Sequence, residues 1–237
     1  MNIIVLAAGE EYTSSRDNNY PLCLKELSGR PIIQHISDLI DFDKNTVLYI
    51  FQDKYIKQHH LTAIVGLLSS ERATVSSVPE NTAGAAASAL VGAVSLKNPK
   101  EPLLIISSNQ LSNINYNDFS SCMTKNNYDA GAVIFEAIHP RYSFVSLNDE
   151  NLVIEASEKK PISKNATAGV YWFKTTSNFI DAVKNMIRKD ARIDNKFYIC
   201  PSLNEIILSG GRVGVYKINN ESYYPTHQIE EYANESR

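Results

Sequence analysis

The N-terminal stretch constrains the fold more than any other part of the chain. Asn2-Ile3-Ile4-Val5-Leu6 is a continuous apolar run of strand length that ends in Ala7-Ala8-Gly9. A polar stretch runs from Gly9 to Asn19, and Gly29-Arg30-Pro31-Ile32-Ile33 then opens a helical pattern. An uninterrupted apolar strand is one covered on both faces. Proline suits the first helical position, where its missing N–H would be unpaired anyway. A buried strand, small residues with a glycine, a loop and a helix together form the arrangement that delivers a phosphate-binding loop.

The same rhythm continues. Runs at 47–51, 73–78 and 102–107 predict strands, and 31–40, 55–68 and 84–95 predict helices. The last helix starts from Asn81-Thr82-Ala83-Gly84-Ala85-Ala86-Ala87, whose small residues permit close backbone approach. Regular alternation argues for a parallel sheet with right-handed crossovers. Ligands of such sheets bind at the carboxyl ends of the strands, where the loops after residues 6, 78 and 107 converge. The second half differs: a strand at 131–135, a hairpin from 142–147 to 152–155, a strand at 166–173, a helix capped by Ser177, a short helix at 202–209 and a strand at 212–218. No linker or repeat divides the chain, so one domain over residues 1–237 with a mixed sheet is expected.

Composition narrows the function classes. A hydrophobic fraction of 43% supports a sizeable core, and a net charge of −3 with interspersed signs argues against nucleic-acid or membrane surfaces. Cys23, Cys122 and Cys200 lie far apart, without metal-ligand spacing, and read as reduced intracellular thiols. No run approaches the length of a membrane span, and the first strand follows Met1 without a leader pattern. A cytoplasmic protein is expected.

Seven motifs in order carry a family resemblance. They are Leu6-Ala7-Ala8-Gly9, Gly29-Arg30-Pro31-Ile32-Ile33, Thr82-Ala83-Gly84-Ala85-Ala86, His139-Pro140-Arg141-Tyr142-Ser143-Phe144, Glu158-Lys159-Lys160-Pro161-Ile162-Ser163, Ala166-Thr167-Ala168-Gly169-Val170-Tyr171-Trp172-Phe173, and Tyr198-Ile199-Cys200-Pro201-Ser202-Leu203-Asn204-Glu205. In order and spacing the chain resembles the sugar-phosphate nucleotidyltransferases, and within them the capsule and surface-polysaccharide members. The resemblance implies a single Rossmann-like nucleotidyltransferase α/β domain with a mixed, mostly parallel central sheet flanked by helices. Residues 1–125 would form the nucleotide side, and residues 126–237 the acceptor side.

The resemblance also implies chemistry. A phosphate of the small molecule attacks the α-phosphorus of a nucleoside triphosphate and expels pyrophosphate, a reaction governed by positioning and charge neutralisation. Leu6, Ala7, Ala8, Gly9, Thr82, Gly84 and Ala85 take the nucleotide-binding positions. Asn109, Glu158, Lys159, Gly169 and Asn204 take the acceptor-binding positions. Several chemical positions are replaced. Glu11 and Thr13 stand where the phosphate loop has glycine and arginine, Leu22 where it has the lysine, Ala83 where a glutamine precedes Gly84, and Asn109 where an aspartate holds Mg²⁺. Tyr224-Pro225-Thr226-His227-Gln228 replaces a late acidic segment. Arg16 and Lys25 are the substitute cations within reach in sequence. Mg²⁺ is the implied cofactor if the chain is active, and no residue is assigned as its ligand beyond Asn109 at the aspartate position.

Two functions follow. One joins an NMP unit to a sugar phosphate or similar phosphorylated molecule. The other is that of a catalytically impaired relative that binds a nucleotide or sugar nucleotide as a regulatory or scaffold subunit. The implied partners are a nucleoside triphosphate or sugar nucleotide, a phosphorylated acceptor, and a second copy of the chain or another subunit.

Overall fold

The computed structural model describes residues 1–8 and 21–225. Gly9, Glu11, Thr13 and Arg16 lie outside the described residues, as does the tail from Thr226.

The first half runs β1 (Asn2–Ala7), a 3-10 turn (Leu22–Leu24), a ribbon of β2 (Glu26–Leu27) and β3 (Arg30–Pro31), α1 (Ile32–Ser37), β4 (Thr46–Gln52), α2 (Asp53–Gln58), α3 (Leu61–Ser69), β5 (Thr74–Val78), α4 (Ala85–Ser95) and β6 (Leu103–Ser107). The second half runs β7 (Gln110–Ser112), α5 (Tyr116–Lys125), β8 (Ala130–Glu136), β9 (Ser143–Leu147), β10 (Val153–Glu158), β11 (Asn165–Phe173), α6 (Thr176–Arg188), α7 (Ser202–Leu208), β12 (Val213–Lys217) and β13 (Tyr223–Pro225).

Among the described residues nine strands form one sheet. Seven follow the order β10-β9-β11-β6-β1-β4-β5, with β8 on β11 and β12 on β8. β5, β4, β1 and β6 are mutually parallel, and β11 joins β6 antiparallel. The fold is thus a single α/β domain on one mixed sheet, as the alternation predicts. The central strands are apolar throughout because both faces are covered. Ile3, Val5, Leu104 and Ile106 face a layer with Ile32, Ile33 and Ile36 of α1 and Phe119 of α5. Ile4, Leu6, Leu103 and Ile105 face the opposite layer, with the alanines of α4 and Phe179 and Val183 of α6. No helix among the described residues is long and apolar enough to cross a membrane.

Several elements depart from the pattern. Pro31 is extended, with φ −58° and ψ 145°, and closes the β2–β3 ribbon, so α1 starts one residue later, at Ile32. The expected helix at 55–68 is two helices separated at His60, which has φ 52°. Thr175, not Ser177, caps α6, accepting a 3.0 Å bond from the Asn178 N–H. α5 was not expected. Its signal is Asn115, whose Oδ1 accepts from Asn117 N–H at 2.9 Å, followed by buried Tyr116, Phe119 and Met123 at helical spacing.

α7 is fastened to the edge strand β10 by one side chain. Asn204 Oδ1 accepts from Ala156 N–H and Asn204 Nδ2 donates to Ala156 C=O, both at 2.8 Å. The amide takes the place of a further strand at that point. Asn204→Ala leaves both main-chain groups unpaired and should cost about 1–3 kcal/mol, read as a lower denaturation midpoint with an unchanged slope.

Candidate functional site

β11 shapes the site. On one edge it pairs with β8, at 165–167 and again at 171–173, and on the other Ala166 pairs with Phe144 of β9. From Val170 it pairs with β6. The switch falls at Gly169, which has φ +70°, and there the register against β8 shifts. A Cβ at Gly169 would lie 3.1 Å from both Ser107 Cβ and Gln110 Cδ. Glycine is therefore needed both for the backbone conformation and for the approach to the end of β6.

Beside this kink opens a cleft of about 430 Å³. Ser107, Asn109 and Gln110 border it after β6, Ser143 at the start of β9, and Glu158 and Lys159 at the end of β10. Ala85 at the start of α4, Arg141, and the stretch carrying Lys196, Tyr198 and Cys200 complete the wall. The cleft thus lies past the carboxyl end of β6, as expected for this class of sheet.

Polar groups inside it are held in place. Glu158 is only 8% exposed and accepts a short hydrogen bond from Ser143 Oγ. Lys159 has φ 55°, and its N–H donates to Tyr142 C=O at 3.1 Å. Its Nζ lies 3.0 Å from Asp194 Oδ2 and 5.2 Å from the centre of the Tyr198 ring. A hydrogen bond with Tyr198, and then one with Asp194, hold the Lys159 ammonium above the ordinary lysine range, against some loss of hydration. Burial, then Cys200 and Glu158, push up the Tyr171 phenol, whose hydroxyl is hydrogen-bonded to that of Thr167 at 2.8 Å. Burial and the nearby Glu158 also push up the Cys200 thiol, so it is not poised as a thiolate nucleophile.

Asn109, Glu158, Lys159, Gly169 and Ala85 are therefore brought together at one cleft. Asn204 is not part of the lining among the described residues; it clamps β10 instead. Thr82 lies beside α4, its hydroxyl 2.9 Å from that of Ser88. Gly84, with φ +99°, lets the start of α4 meet the main chain of Phe197: Phe197 N–H donates to Ala83 C=O at 2.7 Å, and Ala86 N–H to Phe197 C=O at 2.9 Å. Leu6, Ala7 and Ala8 are buried at the end of β1, and Gln52 Nε2 donates to Ala8 C=O at 3.0 Å. Lys25 belongs to the turn before the β2–β3 ribbon, where its N–H donates to Leu22 C=O and its C=O accepts from Ile32 N–H. Lys196, Tyr198 and Cys200 were missed as lining residues. The motif holding Tyr198 and Cys200 was visible in sequence, but nothing local marked Lys196.

No protein-family model matches the chain, and no curated protein matches it by sequence. Solved structures do match. A nucleoside-diphosphate-sugar pyrophosphorylase from Vibrio cholerae RC9 superposes with a TM-score of 0.82 at 18% identity, over 99% of this chain and 98% of that one. The chain has the nucleotidyltransferase fold. A UDP-glucose pyrophosphorylase complexed with UDP-glucose gives a TM-score of 0.76 at 14% identity, over 100% and 99% of the two chains. An inositol-1-phosphate CTP transferase from T. maritima gives 0.71 at 14% identity, over 92% and 86%.

Two positions at which the sequence resemblance implies charge, Leu22 and Asn109, carry neutral side chains. Leu22 is 9% exposed and sits in the apolar core with Cys23, Leu24 and the isoleucines of α1. Burial pushes the adjacent Cys23 thiol up to about 12, which marks the dryness of this layer. Asn109 offers a neutral amide. Among the described residues no group of three His, Cys, Asp or Glu side chains could hold a metal ion. Mg²⁺ needs several hard oxygen ligands in octahedral geometry, usually with one or two carboxylates among them. The described residues do not fit it.

Proposed function

We propose that the cleft binds a phosphorylated sugar, free or nucleotide-linked, and that the chain has a nucleotidyltransferase-type function supplying sugar donors for a surface polysaccharide such as a capsule. The observation that carries this is the lining. Arg141, Lys159 and Lys196 supply three cations around the buried carboxylate of Glu158. Cations suit a phosphate, and a fixed carboxylate with Ser143 beside it suits sugar hydroxyls. In the proposed reaction an oxygen of the sugar phosphate bonds to the α-phosphorus of a nucleoside triphosphate, and the bond to pyrophosphate breaks. The residues named would orient the acceptor and offset its charge. Such a function belongs in the cytoplasm, where nucleoside triphosphates are available.

The burial of Leu22 favours a second reading: a catalytically impaired relative that keeps the cleft and acts as a sugar-nucleotide-binding regulatory or scaffold subunit. One experiment separates the two. The protein is melted with each nucleoside triphosphate, with glucose-1-phosphate and with UDP-glucose, and pyrophosphate release is followed in Mg²⁺. A ligand at 100 times its Kd should add about 2.7 kcal/mol, a rise of roughly 5–10 °C in Tm. Pyrophosphate release with one triphosphate and a sugar phosphate supports the enzyme. A shift with UDP-glucose or glucose-1-phosphate but no release supports the binding subunit. No shift with any ligand rejects both.

A further inference from the structure

The wall of the cleft facing Lys159 includes a tight turn. Ile193 N–H donates to Lys196 C=O and Lys196 N–H to Ile193 C=O, both at 3.0 Å. Between them Asp194 and Asn195 have φ values of 50° and 61°. Two successive left-handed residues make a primed hairpin turn, and Asp and Asn tolerate that conformation. One residue on, Phe197 is tied to the start of α4 through both its main-chain groups. The turn is therefore fixed from two sides, and it holds the Asp194 carboxylate against the Lys159 ammonium at 3.0 Å. Lys159 borders the cleft, whereas Asp194 is not among the described residues that line it.

We propose that Asp194 is a built-in competitor for Lys159: it holds the ammonium that the phosphate of a cleft ligand would otherwise take, and so sets how tightly the cleft retains a phosphorylated sugar. The inference rests on the cleft reading given under the proposed function. Both side chains of the pair are largely exposed, 43% for Lys159 and 69% for Asp194, and an ion pair of that kind contributes little to stability. The fold does not depend on it. A phosphate that takes the ammonium must first displace this carboxylate, and losing that exchange changes affinity by about tenfold. Exchange is easy, because the displaced carboxylate is already at the surface and returns to water. Lys159 meanwhile stays in place over Tyr198, so the ligand meets an ordered cation. The outcome is moderate affinity with ready release.

Calorimetric titration with glucose-1-phosphate tests this on the parent, Asp194→Asn, Lys159→Met and the double variant. Asparagine keeps the left-handed turn, and Asp194→Gly serves beside it as a second charge-free form. Both should bind about tenfold more tightly than the parent, with the gain shrinking as salt is raised. Lys159→Met should bind about tenfold more weakly, and adding Asp194→Asn to it should restore nothing. If both charge-free forms bind as the parent does, or more weakly, the carboxylate does not compete and the proposal falls alone. A gain that persists in the Lys159→Met background likewise overturns it, since the effect would not pass through that ammonium. If no form binds glucose-1-phosphate or UDP-glucose, the cleft reading falls and the competitor with it.

Discussion

Replacing Leu22 by lysine should lower the stability of the protein by about 3–5 kcal/mol and add nothing to nucleotidyl transfer. The expectation starts from location. Leu22 lies in the turn Leu22–Leu24, all three of whose residues are buried, and packs in the layer built on α1. The substitution loses a well-packed leucine, worth about 2–3 kcal/mol of burial, and forces an ammonium against apolar neighbours, which costs more unless the side chain escapes to water. Guanidinium unfolding would show a lower midpoint at an unchanged slope, while Leu22→Met should cost less than about 1.5 kcal/mol. Pyrophosphate release by Leu22→Lys combined with Asn109→Asp should stay at the parent level. If the lysine variant unfolds at the parent's midpoint, the position is not core.

Gly84→Ala should cost about 3 kcal/mol or more and weaken ligand binding at least tenfold. Gly84 has φ 99° and ψ 177°, a region essentially reserved for glycine, so strain alone costs of order 1–3 kcal/mol. A Cβ there would also sit 2.6 Å from Phe197 O and 2.8 Å from Phe197 N. Both are main-chain atoms and cannot rotate aside. The two bonds joining 83–86 to Phe197 would open, each worth about 1 kcal/mol, and the wall carrying Lys196 and Tyr198 would shift. Gly210→Ala is the control: its φ is 79°, but nothing lies within 4 Å of the added Cβ, so only the conformational cost of about 1 kcal/mol remains. Thermal unfolding of the pair tests this, and equal losses would show that strain alone, not the Phe197 contact, sets the value of Gly84.

The sheet was legible in the sequence for a simple reason. β1, β4 and β6 are buried on both faces, and continuous apolar runs have few other readings. The break between α2 and α3 was not legible, because apolar spacing is blind to the left-handed φ of His60. β7 and β13 are three residues each and exist only because they find each other across the chain. The site divides along the same line. Glu158, Lys159 and Gly169 stand in recognisable local strings, and the structure brings them to one cleft. Asn204 stands in an equally recognisable string, yet its amide is spent on Ala156. Lys196 reaches the cleft, and Asp194 reaches Lys159, through a turn whose position depends on α4 and on Phe197, and no local pattern encodes that.

The place of β6 has a consequence in time. It is hydrogen-bonded to β1 on one side and to β11 on the other. During synthesis β1 can meet β4 but lacks its second neighbour until residues 103–107 are made, and β6 keeps a bare edge until residues 170–173 emerge. Pairings this distant in sequence are slow to close, and an exposed strand edge invites pairing with other chains. The first half is therefore an unfinished sheet, and the chain commits to its fold only when more than two-thirds of it has been made.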